Sequence, residues 1–217
     1  MIGNFIPYGI MAATGASAAW RDAPYPWLLF LIVMASWYTI RMVLTLGEDK
    51  AVKEERGARR ERVLTSLVAL GMIVVPLIAL ATPFLDSAMY KLVPGQRWLG
   101  ILSALAGAYF FWRSHADLGK NWSAHLELRE DHGLQTEGIY AHIRHPMYLA
   151  IFLITLSQAL ILNNWFAGPA GFVAFIVLYV LRIEHEESMM RDQFGEAWDA
   201  YTAKTPRLFP VLRRAPD

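Results

Sequence analysis

The chain has 217 residues, of which 55% are hydrophobic and only 18% charged, against roughly 25% charged in ordinary soluble domains. It has no cysteine, which excludes disulfides, thiolate metal sites and a cysteine nucleophile. Its net charge of +1 gives no sign of a nucleic-acid partner.

Five stretches are apolar enough to cross a bilayer, which takes about 20 residues with roughly 17 as a lower limit. In chain order they are 27–46, 63–85, 98–112, 147–162 and 166–181. An earlier stretch, 5–20, is apolar but short and rich in Gly, Ala and Ser, and it lacks the basic start of a secretory signal. It is a sixth span or none. The second stretch is charge-free but holds Pro76 and Pro83, which membrane helices tolerate where neighbours satisfy the freed carbonyls. The third is short unless Arg97 and Arg113 reach back to the interfaces. Its Gly100, Ser103, Ala104, Ala106, Gly107 and Ala108 permit close helix packing. The fourth and fifth, joined by Asn163-Asn164-Trp165 and Gly168-Pro169, read as a tight helical hairpin.

Basic residues set the orientation. The 47–62 loop has six (Lys50, Lys53, Arg56, Arg59, Arg60, Arg62), the 86–97 loop only Lys91 and Arg97, the 113–144 stretch four, and the chain from Arg182 onward six. The positive-inside rule then puts 47–62, 113–146 and the C-terminus in the cytoplasm. The fold expected is all-α: a polytopic membrane protein of about five transmembrane helices. We divide it into an N-terminal transmembrane region, 1–94, and a C-terminal core, 95–217.

Polar residues gather in the loop 119–146 and in 182–187, and the hairpin between them returns both to one membrane face. Pro146 suits the first turn of the fourth helix, which holds His145 at a bend beside free backbone N–H groups able to receive an anion. The plainer reading of Arg144 and His145 is a basic pair at the interface. Arg182 and Glu186 share a helix face at i, i+4. They read either as a surface ion pair or as a cation and acid that together hold a zwitterionic ligand. All six histidines (115, 125, 132, 142, 145 and 185) fall on or near this face, but none has metal-ligand spacing, so no metal site is expected. The stretch 187–201, with Met190, Phe194, Trp198 and Tyr201, reads as one amphipathic helix.

The run from His132 to Tyr148, with Gly138, Tyr140 and Arg144-His145-Pro146-Met147-Tyr148, resembles the signature of isoprenylcysteine carboxyl methyltransferases and phospholipid methyltransferases. Arg182, Glu186-Glu187, Phe194-Gly195, Trp198, Tyr201, Thr205, Arg207 and Pro210 continue it. The resemblance covers about 95–212. It implies a methyltransferase core with S-adenosyl-L-methionine bound in a cytoplasmic pocket above the hairpin. It also implies a lipophilic acceptor entering from the bilayer. The cofactor residues it implies are His125, His132, Gly133, Leu134, Gln135, Tyr140, His145, Pro146, Met147, Tyr148 and Glu186. Arg144, Arg182 and Glu187 are expected to serve the acceptor and the transfer. A bacterial inner membrane is the expected location. Membrane sterol reductases using NADPH, which are similar in the hairpin region, and a non-enzymatic membrane scaffold are the alternatives. The methyl acceptor and the oligomeric state stay open.

Overall fold

The structure, a computed structural model, describes residues 24–45, 58–118 and 133–209. The 5–20 stretch, most of the 47–62 loop, His125, His132 and the chain after 209 lie outside these. Among the described residues every regular element is helical, and an isolated antiparallel bridge pairs Met89 with Asn164.

Helices stand at all five predicted stretches. α1 is Pro24–Thr45, its prolines placed in the first turn where a missing N–H costs nothing. α2 is Ala58–Ala69, followed by a π turn at Leu70–Val74 and then α3 at Val75–Ala81. Pro76 has no N–H to donate and its ring crowds the preceding turn, which widens to π spacing just before it, Val75 N–H bonding Leu70 O. α4 is Gln96–Leu118, α5 Pro146–Ile161, α6 Ala170–Phe194 and α7 Glu196–Thr202. Among the described residues one helix, Arg59–Ala81, is by length and hydropathy long and apolar enough to cross a membrane, and Tyr25–Ile40 and Pro146–Ile161 are shorter apolar helices.

Three predicted boundaries are corrected. The second stretch leaves the helix at Thr82, which is extended (φ −135°, ψ 155°) as the residue before a proline must be, and Pro83–Ala88 forms a 3-10 turn. The third is not short. Its 23 residues extend about 34 Å at 1.5 Å each, so Arg113, His115 and Asp117 are helical. The single amphipathic helix over 187–201 is two pieces: α6 runs on to Phe194, Gly195 turns the chain with φ 51°, and α7 follows. That φ is in the region glycine adopts freely and other residues do not.

The chain divides into two compact units, one of Met1–Leu105 with Phe152–Leu178, the other of Ala106–Ile151 with Tyr179–Asp217. In the first unit, α1 buries Trp27, Phe30, Met34 and Trp37 at helical spacing. Glycines permit the closest approaches. A Cβ on Gly71 would lie 2.5 Å from the Ala170 carbonyl oxygen, and one on Gly100 2.7 Å from the Ile161 side chain. Gln158 is buried and donates from Nε2 to the Gly71 and Ala167 carbonyls, at 3.0 and 2.7 Å. Ser103 donates to the Leu153 carbonyl at 2.7 Å. The hairpin turn is closed by Asn164, whose Oδ1 accepts from Phe166 and Ala167 N–H while Nδ2 donates to Leu85 O.

Burial along α4 is inverted relative to a water-soluble helix. Gly100, Ser103, Gly107, Phe111 and Ser114 are buried, whereas Trp98, Leu102, Leu105, Tyr109 and Trp112 are exposed. Small residues inside and large apolar ones outside suit a hydrocarbon surround, where close backbone packing rather than apolar burial joins helices.

Candidate active site

The site is built in the second unit, from the start of α5 upward. Leu149 N–H bonds the His145 carbonyl at 3.2 Å, so His145 caps α5 and Pro146 is its first residue. The bend predicted before Pro146 is therefore present. Two further bonds hold it from outside: Arg144 N–H donates to the Pro206 carbonyl at 2.9 Å and His145 N–H to the Arg207 carbonyl at 3.1 Å. The chain after α7 thus lies along the Arg144-His145 junction and fixes its backbone.

On α6, Arg182, Glu186 and Glu187 lie within 1.5 turns. Arg182 Nε pairs with Glu186 Oε1 at 3.3 Å, and the other Glu186 oxygen lies 4.0 Å from His145 Nδ1, beyond hydrogen-bond distance. Glu187 is a hub. Its Oε1 takes His145 Nε2 and Arg144 Nη2, each at 3.1 Å, and Arg207 Nε at 3.0 Å; its Oε2 takes Arg207 Nη2. Burial by itself would raise this acid, but the hydrogen bonds from His145 and Arg207 and the charge of Arg144 outweigh it and hold the pKa down to about 2. An ionised carboxylate only accepts, so His145 Nε2 carries a proton, and Nδ1 is the ring atom turned toward Glu186.

Arg144 is held through both terminal nitrogens, while its Nε is buried without a hydrogen-bond partner. Besides Glu187, its Nη1 donates to the Thr202 carbonyl at 3.3 Å, and its guanidinium lies 5.9 Å from the centre of the buried Trp198 ring. Arg207 reaches Glu184 as well as Glu187, and the strong hydrogen bonds raise its pKa further above its ordinary value. Tyr148 is buried, its ring 5.6 Å from His145 on one side and 5.4 Å from Tyr179 on the other.

A second set of bonds shapes the chain leading into this junction. Gly138–Ala141 is a 3-10 turn, and its Ile139 N–H donates to Asp117 Oδ2 at 2.7 Å, an oxygen that also pairs with Arg113 at 2.8 Å. Gly138 has φ 60°, and a Cβ there would sit 2.5 Å from the same oxygen. Tyr140 donates to the Ser114 carbonyl and accepts on its own carbonyl from the Tyr201 hydroxyl, at 3.2 and 2.6 Å. Burial raises both phenol pKa values, so each stays a donor.

Of the residues expected in a site, the structure brings together Arg144, His145, Pro146, Met147, Tyr148, Arg182, Glu186 and Glu187, and joins Tyr140 to them through Tyr201. Gly133 is exposed and Leu134 and Gln135 half-buried, on the irregular stretch before the 3-10 turn. Sequence reasoning assigned no role to Asp117, Gly138 or Arg207. Arg207 and Gly138 were legible as motif positions, but what they touch was not; Asp117 carried no signal. Among the described residues no group of His, Asp and Glu could hold a metal ion.

Residues 98–192 match the model of the isoprenylcysteine carboxyl methyltransferase family. That segment is somewhat under half of the chain, and it marks a similarity to the family. It is 31% identical to the protein-S-isoprenylcysteine O-methyltransferase of Schizosaccharomyces pombe over 38% of this chain and 35% of the relative. To the enzyme of that name from Dictyostelium discoideum it is 32% identical over 48% and 45%. Its fold is similar to that of a solved eukaryotic intramembrane Ras methyltransferase, isoprenylcysteine carboxyl methyltransferase, with TM-score 0.57, 22% identity, and cover of 84% of this chain and 65% of that one. The matched segments span about a third to a half of these curated relatives' own length.

Proposed function

We propose that this protein transfers a methyl group from S-adenosyl-L-methionine to a lipophilic acceptor bearing a carboxylate of the isoprenylcysteine kind. The observation that carries the reading is the convergence of the two motif blocks of the family segment: His145 to Tyr148 on one side, Arg182 to Glu187 on the other.

The residues fit the cofactor's charges. A zwitterionic amino-acid moiety needs acceptors for its ammonium and donors for its carboxylate. Glu186, whose Oε2 lies 4.0 Å from His145 Nδ1, is an acceptor on one edge. The first-turn N–H groups of α5 are donors with no partner inside the helix. We assign His145, Pro146, Met147, Tyr148 and Glu186 to the cofactor, with Tyr140, Gly133, Leu134 and Gln135, and with His125 and His132 by motif. When bound, S-adenosylmethionine supplies a methyl group already activated on a sulfonium sulfur.

The chain's own part is alignment and water exclusion, since an in-line displacement by a carboxylate oxygen requires no general base. Arg182 orients the acceptor carboxylate. Arg144 and Glu187, paired with each other and held by His145, Arg207 and the Thr202 carbonyl, hold the frame instead of touching the acceptor. The acceptor enters from the bilayer through the 95–217 core. Five spans, with 47–62, 113–146 and the C-terminus cytoplasmic, put this face on the cytoplasmic side.

The test is methyl transfer with labelled S-adenosylmethionine. Purified protein is given a farnesylated cysteine derivative with a free carboxyl, or the same compound as its methyl ester. Label is expected in the first product as a base-labile ester and not in the second. Label in neither, from protein that binds the cofactor, removes the carboxyl acceptor; no cofactor binding removes the whole reading.

A further inference from the structure

Arg207 lies beyond the 98–192 segment that the family match covers, yet it makes three contacts with the hub. Its carbonyl accepts His145 N–H, and its guanidinium grips both Glu187 oxygens and Glu184. Glu187 in turn accepts His145 Nε2–H. One residue therefore holds the His145 backbone directly and its ring through a carboxylate. The groups facing that ring are Glu186, Glu187, the Tyr148 ring and, through Glu187, Arg144 and Arg207. Without the fork of Arg207, Glu187 keeps only Arg144 and the imidazole on one oxygen, and its second oxygen is left to rotate toward the ring or to water.

We propose that Arg207 is a positioning residue for the cofactor site: acting through Glu187, it holds the His145 ring with its Nε2–H on Glu187 and its Nδ1 turned toward Glu186. The inference rests on the proposed function for its ligand but not for its geometry. Its first readout is the ring itself. In the ligand-free protein in detergent, 15N spectra of histidine-labelled chain identify the His145 signals as those lost in His145→Asn. The native ring is the Nε2-protonated form at a pH where it is neutral. Arg207→Gln should turn it into a mixture of the two neutral forms.

The second readout is cofactor affinity by calorimetry. Arg207→Gln is expected to weaken binding tenfold or more. The loss should not add to that of Glu187→Gln, because residues acting through one another couple. Arg207→Lys keeps the charge but not the two-pronged fork, and should rescue less than threefold. An unchanged His145 ring in the Gln and Lys variants overturns the inference, as do losses that add in the double variant. If the native chain binds no S-adenosylmethionine but the ring changes as stated, the proposed function fails and the positioning role stands. Should Arg207→Gln not fold, Arg207→Lys carries the ring measurement alone.

Discussion

Glu187 shows why a titratable residue in a proposed site can be its least reactive member. Its side chain is 13% exposed and that of Arg144 11%, so the pair is screened little and the acid's proton affinity is low. Because the folded pKa, about 2, lies below the ordinary 4.5, the charged hub stabilises the fold in full above pH 4.5. That stabilisation is lost as pH falls from there toward 2. Thermal midpoints measured in detergent between pH 6 and 3 should drop, and Glu187→Gln should flatten that drop. At pH 7 the same variant leaves Arg144 and Arg207 partly buried without their anion, and is expected to cost about 3 kcal/mol. Arg182 differs, since its recorded ion pair is with the neighbouring Glu186 on its own helix, at 3.3 Å. If it orients a carboxylate through a planar fork, lysine does not replace it. Arg182→Lys should keep cofactor affinity and lose methyl transfer tenfold or more in kcat/KM, about 1.4 kcal/mol. A lysine variant with full kcat/KM returns Arg182 to an interface anchor.

Between residues and fold stand the places where the backbone leaves no room for a side chain, Gly71 and Gly138 among them. Gly71, in the π turn, meets the backbone of Ala170 at the start of α6, and backbone cannot rotate away as a side-chain end can. Gly71→Ala should therefore lower stability by about 2–3 kcal/mol, read as a lower thermal midpoint with the site residues unaltered. Gly138 couples strain to position. Its φ of 60° suits glycine, and Asp117 Oδ2 fills the space a Cβ would need. Gly138→Ala is expected to cost about 1–3 kcal/mol and to raise the cofactor Kd, because the 3-10 turn it opens leads directly into Arg144 and His145. Asp117→Asn, which keeps an acceptor for Ile139 N–H, should leave that Kd within about threefold. Equal losses in Asn and Ala variants of Asp117 would show that charge on Arg113, not the bond to the turn, is what matters.

At the scale of the molecule, apolar residues cover the outside of α4 while glycine and serine lie within, an arrangement suited to lipid. The basic bias of the sequence gives the orientation proposed for it. Reporter fusions at Asp49 and after Asp217 should both be active only as cytoplasmic reporters; a periplasmic signal at either position overturns the five-span arrangement. The proposed entry of the acceptor from the bilayer is checked by reconstitution: activity in detergent should recover on return to lipid vesicles, with the change in acceptor KM and not in cofactor Kd.

The sequence by itself determined the helical class and the sites of the long helices among the described residues. Hydropathy runs and proline positions are local properties, and two spaced motif blocks around a hairpin form a specific pattern. It also determined that Arg144-His145 sits at a helix start, since proline restricts both itself and the residue before it. Helix ends were less legible: α4 and α6 continue past their apolar stretches into polar residues, where hydropathy stops but helical hydrogen bonding does not. What only the tertiary structure decided was which charges belong together. Glu186 and Glu187 are adjacent in sequence, yet one pairs along its helix with Arg182 and the other across space with Arg144, His145 and Arg207. Neighbours on a helix point about 100° apart, so the partner of each depends on what that direction meets, and that is set by the fold.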